Sequence, residues 1–428
     1  MSKAGPSNGG HSRVLSFKGH ARLRHRLVLS LLSRRPIRID RIRPDDDEPG
    51  LRPHEVSYLR LIEKLTQGSR LEISYTGTSL LFHPGTIQNG SVTHSCPTEG
   101  GGRAVGWYLE PLLALAPFGK KDLVLTLRGV TTNGIDASVD TIRTSGLPHL
   151  AMFLDRDGVE LRITKRGHPP LGGGEVTFTC PSVRTIKSGF EFTNVGRIAK
   201  IRGIAHSVRV SPQLANRLVA AARSVLNRYI PDVYIYSDVY RGEDSGKSPG
   251  YAITLVATST SHVIHSSEAT SCPPPPRSSA SVTVSADEPA AGNEKFTPPV
   301  PEDLGLEAAR LLLAEIQRGG CCDRGWEWLV TTMLVLGAED VGRVKVAGPF
   351  DAGFIEHLRD LKAFFGTTFK IKDAAAAVPA SRLAIDAAGD VQEETELEAG
   401  PNGAGQTKEE YVLSCVGTGF TNTAKRAG

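Results

Sequence analysis

The sequence predicts an α+β fold of three repeated α/β units with a smaller inserted α+β domain. Two observations carry that reading. A helix, strand, helix, strand-pair order recurs along the chain, and one stretch with a different order interrupts the series. A third observation bounds it: 428 residues with 39% hydrophobic content can bury a large core in two or three domains, or in one domain carrying an insertion.

In the first unit, Leu23, Leu27, Leu31 and Leu32 lie on one face of a helix over Arg24–Arg34, which Pro36 limits. Ile37, Ile39 and Ile42 begin a strand. Val56, Leu59, Ile62 and Leu65 have helical spacing within Pro53–Gln67, and a strand-like run follows from Leu71 to Phe82. The second unit repeats the order at Val105–Leu115, Leu123–Gly129, Ser138–Phe153 and Val159–Lys165. The third reads as Leu304–Gln317, Trp326–Leu336, Val341–Val346, Ala352–Phe365 and Thr367–Lys372. Between them, Arg197–Val210 and Asp232–Asp238 are strand-like, Pro212–Tyr229 is a strong helix, and Tyr251–Thr258 is another strand.

The resulting map places repeats one and two at 12–185, the insertion at 186–270 and the third repeat at 300–372. Residues 271–299 contain PPPP and almost no large apolar side chain, and 373–407 are rich in Ala and acids, so both are expected to be disordered loops. Residues 408–425 are expected to return to the core, because YVLSCVGTGF at Tyr411–Phe420 has strand composition.

A formal net charge of +4 says little, but its distribution says more. Arg13, Lys18, Arg22, Arg24, Arg26, Arg34, Arg35, Arg38, Arg41 and Arg43 face a single acid, Asp40. That crowding reads equally as a phosphate-backbone footprint or as a solvated face with an import address. The N-terminus is polar, and the run Leu27–Leu32, broken by Ser30, is too short to span a bilayer, so a soluble intracellular protein with no membrane partner is expected. The six cysteines form no CxxC pair and no Cys/His ligand spacing, which gives no metal site.

Gly77-Thr78-Ser79 interrupts a strand-like run, where glycine marks a bulge, a close backbone approach or simple packing. Gly172-Gly173-Gly174 after Pro169-Pro170 reads as a turn. GEDSGKS at Gly242–Ser248 is one residue short of a P-loop and precedes Pro249 instead of a helix, so it should not bind a nucleotide. Glu99–Arg103 (EGGGR) reads as a loop before the Val105 helix.

Together, Gly77–Ser79, Pro170–Gly174, PGLR at Pro49–Arg52, RGVTTNGIDASVD at Arg128–Asp140 and Leu147-Pro148 resemble, in order and spacing, the RNA 3′-terminal phosphate cyclase family. IRGIAHSVRVSPQLANR, from Ile201-Arg202 onward, and SGKSPGYAITLVA, PEDLG, RGGC and LRDLKAFFG resemble its non-catalytic, cyclase-like branch. The resemblance implies two helices on a four-stranded sheet in each repeat. It also implies what the chemistry would need: a histidine that takes an adenylyl group from ATP, and positive charge around the phosphates.

An ungapped match puts Gly353 at the family's nucleophilic histidine, with Glu356 and His357 at the following Thr-Asn pair. The family's acidic residue falls at Phe17 and a glutamine at His54, while two arginines persist as Arg24 and Arg43. Arg24, Arg43 and His54 are therefore expected to form a vestigial anion pocket, with no catalytic residue and no cofactor. Arg359, Asp360 and Lys362 are interleaved with Leu358, Leu361 and Phe364 on one helix. They are expected to be exposed, as a solvated face or as a contact for RNA or a protein partner.

The function implied is that of a non-catalytic ribosome biogenesis factor in the nucleus and nucleolus. It would act in early pre-rRNA processing and 18S rRNA maturation within the small-subunit processome. Its implied partners are a large nucleolar ribosome-assembly GTPase and pre-rRNA. One alternative is an endonuclease at a pre-rRNA spacer, with Arg359, Asp360 and Lys362 at the scissile phosphate and His54 or His357 as base. A second is an active cyclase whose nucleophile has moved to His357.

Overall fold

The computed structural model describes residues 14–98, 102–272, 299–374 and 409–425. All but the end residues of the two segments expected to be disordered, most of the Glu99–Arg103 loop and the N-terminal tail lie outside the described residues, and Asp373, expected to open the second segment, instead ends a strand.

The first unit runs β1 (Leu15–Lys18), α1 (Leu23–Ser33), β2 (Ile37–Asp40), α2 (Pro53–Leu65), β3 (Thr66–Gln67), β4 (Arg70–Ile73), β5 (Leu80–His83) and β6 (Thr86–Ile87). The second runs β7 (Gly90–Ser95), α3 (Val105–Leu115), β8 (Leu123–Gly129), α4 (Val139–Thr141), a π-helical turn at Ile142–Gly146, α5 (Leu147–Ala151), β9 (Glu160–Lys165) and β10 (Gly174–Cys180). Then come β11 (Glu191–Phe192), β12 (Ile198–Val208), α6 (Pro212–Leu226), β13 (Val233–Tyr240), β14 (Gly250–Ser259), β15 (Ile264–Thr270) and α7 (Pro301–Arg318). The chain ends with α8 (Glu327–Leu336), β16 (Val341–Ala347), α9 (Ala352–Phe365), β17 (Lys370–Asp373) and β18 (Glu410–Val416).

Three four-stranded sheets share one plan, ordered β1-β2-β5-β4, β7-β8-β10-β9 and β11-β16-β18-β17. In each, the first pair is parallel and the other two pairings are antiparallel. A fourth sheet, β13-β12-β14-β15, is built from the inserted stretch.

Helices α3 and α8 are apolar nearly all round, and α1 is buried along most of its length although it carries Arg24, His25 and Arg26. They pack α1 on α3 and α3 on α8, so one hydrophobic cluster runs through all three units. A second cluster, with Ile201, Ile253, Leu218 and Leu304, lies between the fourth sheet and α6 and α7. Helix α7, whose residues the sequence map assigned to the third repeat, thus packs on the inserted sheet. Conversely β11, mapped to the insertion, pairs with β16 of the third sheet.

The strand pair expected between Leu71 and Phe82 is a hairpin of β4 and β5, with Gly77 (φ 69°) in its turn. The close approach that glycine permits there is to Gly50, where a Cβ would overlap the Thr76 carbonyl oxygen. Ser138–Phe153 is not one α-helix but is split by the π-helical turn.

Candidate functional site

Where α1 enters, Arg22 has a left-handed backbone (φ 58°) that turns its side chain toward α9 of the third unit. Its Nε donates to Asp360 Oδ2 at 3.3 Å, its Nη1 to the Gly353 carbonyl at 3.0 Å, and its Nη2 meets His357 Nδ1 at 2.6 Å. Arg26, one turn on, donates through Nε to both Asp360 oxygens at 3.2 and 3.1 Å. Its guanidinium lies 4.4 Å over the Phe17 ring, which stacks on Phe364 at 5.5 Å.

A guanidinium only donates, so His357 must accept at Nδ1 and carry its proton on Nε2. That proton goes to Thr332 Oγ1, 3.0 Å away. Burial, with Arg22 beside it, holds His357 well below the usual imidazole range. The ring is therefore neutral, with its nitrogen lone pair already engaged.

The expectation that Arg359, Asp360 and Lys362 are exposed together is corrected here. Arg359 and Lys362 face solvent, but Asp360 is 3% exposed and locked between two arginines. Helical spacing turns position 360 inward with Phe364, and the sequence reading assigned it outward by charge alone.

The three residues expected to form an anion pocket are arranged as follows. Arg24 lies 4.4 Å over the Trp107 ring, and His54 meets the same ring edge-on at 5.0 Å. Arg24 Nη1 donates to Glu110 Oε2 at 3.1 Å and to the Trp107 carbonyl. Arg43 forms a fork with both Glu55 oxygens at 2.8 Å, and Glu55 also accepts from the Arg52 amide. Burial lowers His54 to about 4. Arg24 and His54 thus converge on Trp107, but each arginine is already matched by a carboxylate that an incoming anion would have to displace.

The N-terminal basic crowd is largely internal wiring. Arg38 pairs with Asp40, Arg35 donates to carbonyls near the end of α9, and Arg34 reaches Thr423. Lys18 and Arg41 are exposed, and Arg13 lies outside the described residues. Sequence reasoning missed these acidic partners because Glu110 and Asp360 are distant in the chain from the arginines they meet, and no regular spacing links Glu55 to Arg43. The spacing of Arg22 and Arg26, four apart on one helical face, was the available signal.

The Gly242–Ser248 loop spends its polar groups on the protein. The Gly246 amide donates to the Arg166 carbonyl at 2.5 Å, the Lys247 amide to Gly172 at 2.8 Å, and Ser248 Oγ accepts from Leu171. Nearby, Arg166 is buried between Asp140 and Asp238, while His206 and His168 meet at 3.1 Å.

A cleft opens beside Arg24, bounded by Arg103, Glu110, Asp136, Glu268 and Asp323. Arg103 pairs with Asp136. Burial raises Asp323 to about 7 and also raises Glu268. Among the described residues, no group of three or more His, Cys, Asp or Glu side chains converges as a metal site, and no helix is long and apolar enough to cross a membrane.

The model of the family described as RNA 3′-terminal phosphate cyclase matches residues 15–371. The chain is 44% identical over 412 residues to the RNA 3′-terminal phosphate cyclase-like protein of Homo sapiens, covering 96% of this chain and 97% of that one. It is 41% identical over 412 residues to an rRNA processing protein of Schizosaccharomyces pombe, at 96% and 97% coverage. A probable RNA 3′-terminal phosphate cyclase-like protein of Arabidopsis thaliana is 41% identical over 363 residues, covering 83% and 92%.

Proposed function

The chain belongs to the RNA 3′-terminal phosphate cyclase family, and we propose that it serves in rRNA processing without cyclase chemistry. The observation that carries this is the state of the site where the resemblance puts the nucleophile. Gly353 offers only a carbonyl there, held by Arg22, and the imidazole one turn away is tied to Arg22 and Thr332. Neither group is free to take an adenylyl group. The rRNA processing role is supported by the fission-yeast relative, which is an rRNA processing protein.

The finer reading follows the resemblance: a nuclear and nucleolar factor for early pre-rRNA cleavage and 18S rRNA maturation in the small-subunit processome. It would be bound to a large nucleolar GTPase and to pre-rRNA. Exposed Arg359 and Lys362 offer that surface two cations. The endonuclease alternative loses its acid, because Asp360 is the counter-ion of Arg22 and Arg26.

Two measurements test this. Incubation with labelled ATP should leave no acid-labile adduct; an adduct mapping to His357 would overturn the non-catalytic reading. Depletion in cells should lower 18S rRNA, and a His357→Gln variant should restore it if the imidazole has no chemical role. Normal 18S levels after depletion would sink the rRNA reading.

A further inference from the structure

We propose that the cleft between the second repeat, the inserted sheet and the third repeat binds an alkylammonium group through Asp323 and Glu268. The inference is independent of the rRNA reading. The cleft encloses about 400 Å³. Two of its ion pairs, Arg24 with Glu110 and Arg103 with Asp136, are self-contained.

Glu268 and Asp323 differ from these pairs. Glu268 accepts from the Ser138 amide at 3.3 and 3.2 Å and from Thr141 Oγ1 at 2.6 Å. Asp323 Oδ2 accepts from Ser145 Oγ at 3.2 Å, and from the Ser266 amide at 3.2 Å and the Ser266 hydroxyl. Every donor named is neutral. Asp323 Oδ1 is buried with no hydrogen-bond partner, although the residue is only 4% exposed. A buried carboxylate oxygen left unpaired is costly, and a cation is the group that relieves it.

The placement of the two carboxyls selects the cation. Ser266, which holds Asp323, and Glu268 are two apart on β15 and so lie on one face, about 7 Å apart along the strand. Asp323 has a single unpartnered oxygen, so it suits a compact ammonium, whereas a guanidinium fork needs two. Ile135, Ala137 and Trp326 also line the cleft and supply apolar surface for a methylene chain. Arg324, exposed at the rim, leaves the interior carboxylates uncompensated. The same chemistry comes from a free polyamine or from the lysine side chain of a bound protein.

Equilibrium dialysis of the full-length protein with radiolabelled spermidine at fixed ionic strength tests this. One saturable site is expected, weakened about tenfold or more by Asp323→Asn and separately by Glu268→Gln, with Arg359→Ala as the unaffected control. Thermal melting of each variant shows whether it is folded; Glu268→Gln carries the test if Asp323→Asn is not. Competition with Nα-acetyl-lysine methylamide separates the sources. Displacement identifies a lysine side chain as an acceptable occupant, and its absence identifies the free polyamine. No saturable spermidine binding, or binding unchanged in folded Glu268→Gln, overturns the proposal.

Discussion

Asp360 shows at the scale of one residue how a charge can be misread. From the sequence it sits between Arg359 and Lys362 and looks like part of a solvated triplet. In the fold it is the shared counter-ion of Arg22 and Arg26, 3% exposed. Burial pushes its carboxyl up, and the two arginines pull it back. Replacing it by alanine would strand two guanidiniums away from water, so Asp360→Ala should cost about 3–5 kcal/mol in urea unfolding. Arg359→Ala and Lys362→Ala, on the solvent side, should each stay within about 0.5 kcal/mol. If an Asp360 variant loses rRNA processing, the loss should track its instability; a fully stable Asp360→Ala with lost processing would instead argue for a chemical role. The partners of Arg22 and Arg26 were illegible for a simple reason. They are more than three hundred residues away, and charge alone does not say which cation meets which anion.

Elements were more legible than contacts. Helices α3 and α6 and strand β8 announce themselves by period and composition, and β18 could be read from YVLSCVGTGF although low-complexity sequence precedes it. Among the strands that escaped were the leading ones, β1, β7 and β11, which are short or polar: LSFK, GSVTHS and EF. Each is held by parallel pairing to a neighbour supplied later in the chain, and such pairing leaves little local pattern. Strand β18 makes the sharpest element-level prediction. It lies between β16 and β17 and pairs with both. Ending the chain at Lys408 removes the ladder's centre, so β16 is left with an open edge and β17 with no partner in the sheet. That truncation should be insoluble or melt far below the full chain in circular dichroism; an unchanged melting temperature would contradict it. A smaller test sits on α3. A Cβ at Gly106 would overlap the Ala137 carbonyl oxygen, so Gly106→Ala should cost about 1–3 kcal/mol.

Across the whole molecule, the buried histidines set how the fold responds to acid. Burial is the leading cause in each case, lowering His149 and His168 to about 4 and holding His25, His206 and His357 well below the ordinary value. His20, His54 and His94 shift the same way. For a histidine lowered in the fold, the unfolded chain takes up the proton first. Its contribution is complete above about pH 6.5 and is lost as pH falls toward the folded value. Four carboxyls oppose this. Asp323 and Glu327, both raised to about 7, and Glu268 and Asp360, also raised, keep protons in the fold that the unfolded chain releases. Their contribution grows as pH falls from about 7 toward 4. Eight histidines against four carboxyls leave the unfolded state binding more protons near pH 5, and each proton of imbalance is worth about 1.4 kcal/mol per pH unit. Stability from urea unfolding should therefore drop by several kcal/mol between about pH 7 and pH 5. The histidines lie in all three units and the inserted sheet, so the loss should be cooperative, with fluorescence and circular dichroism giving the same midpoint. A stability that is flat or rises on acidification would mean that the carboxyls outweigh the imidazoles.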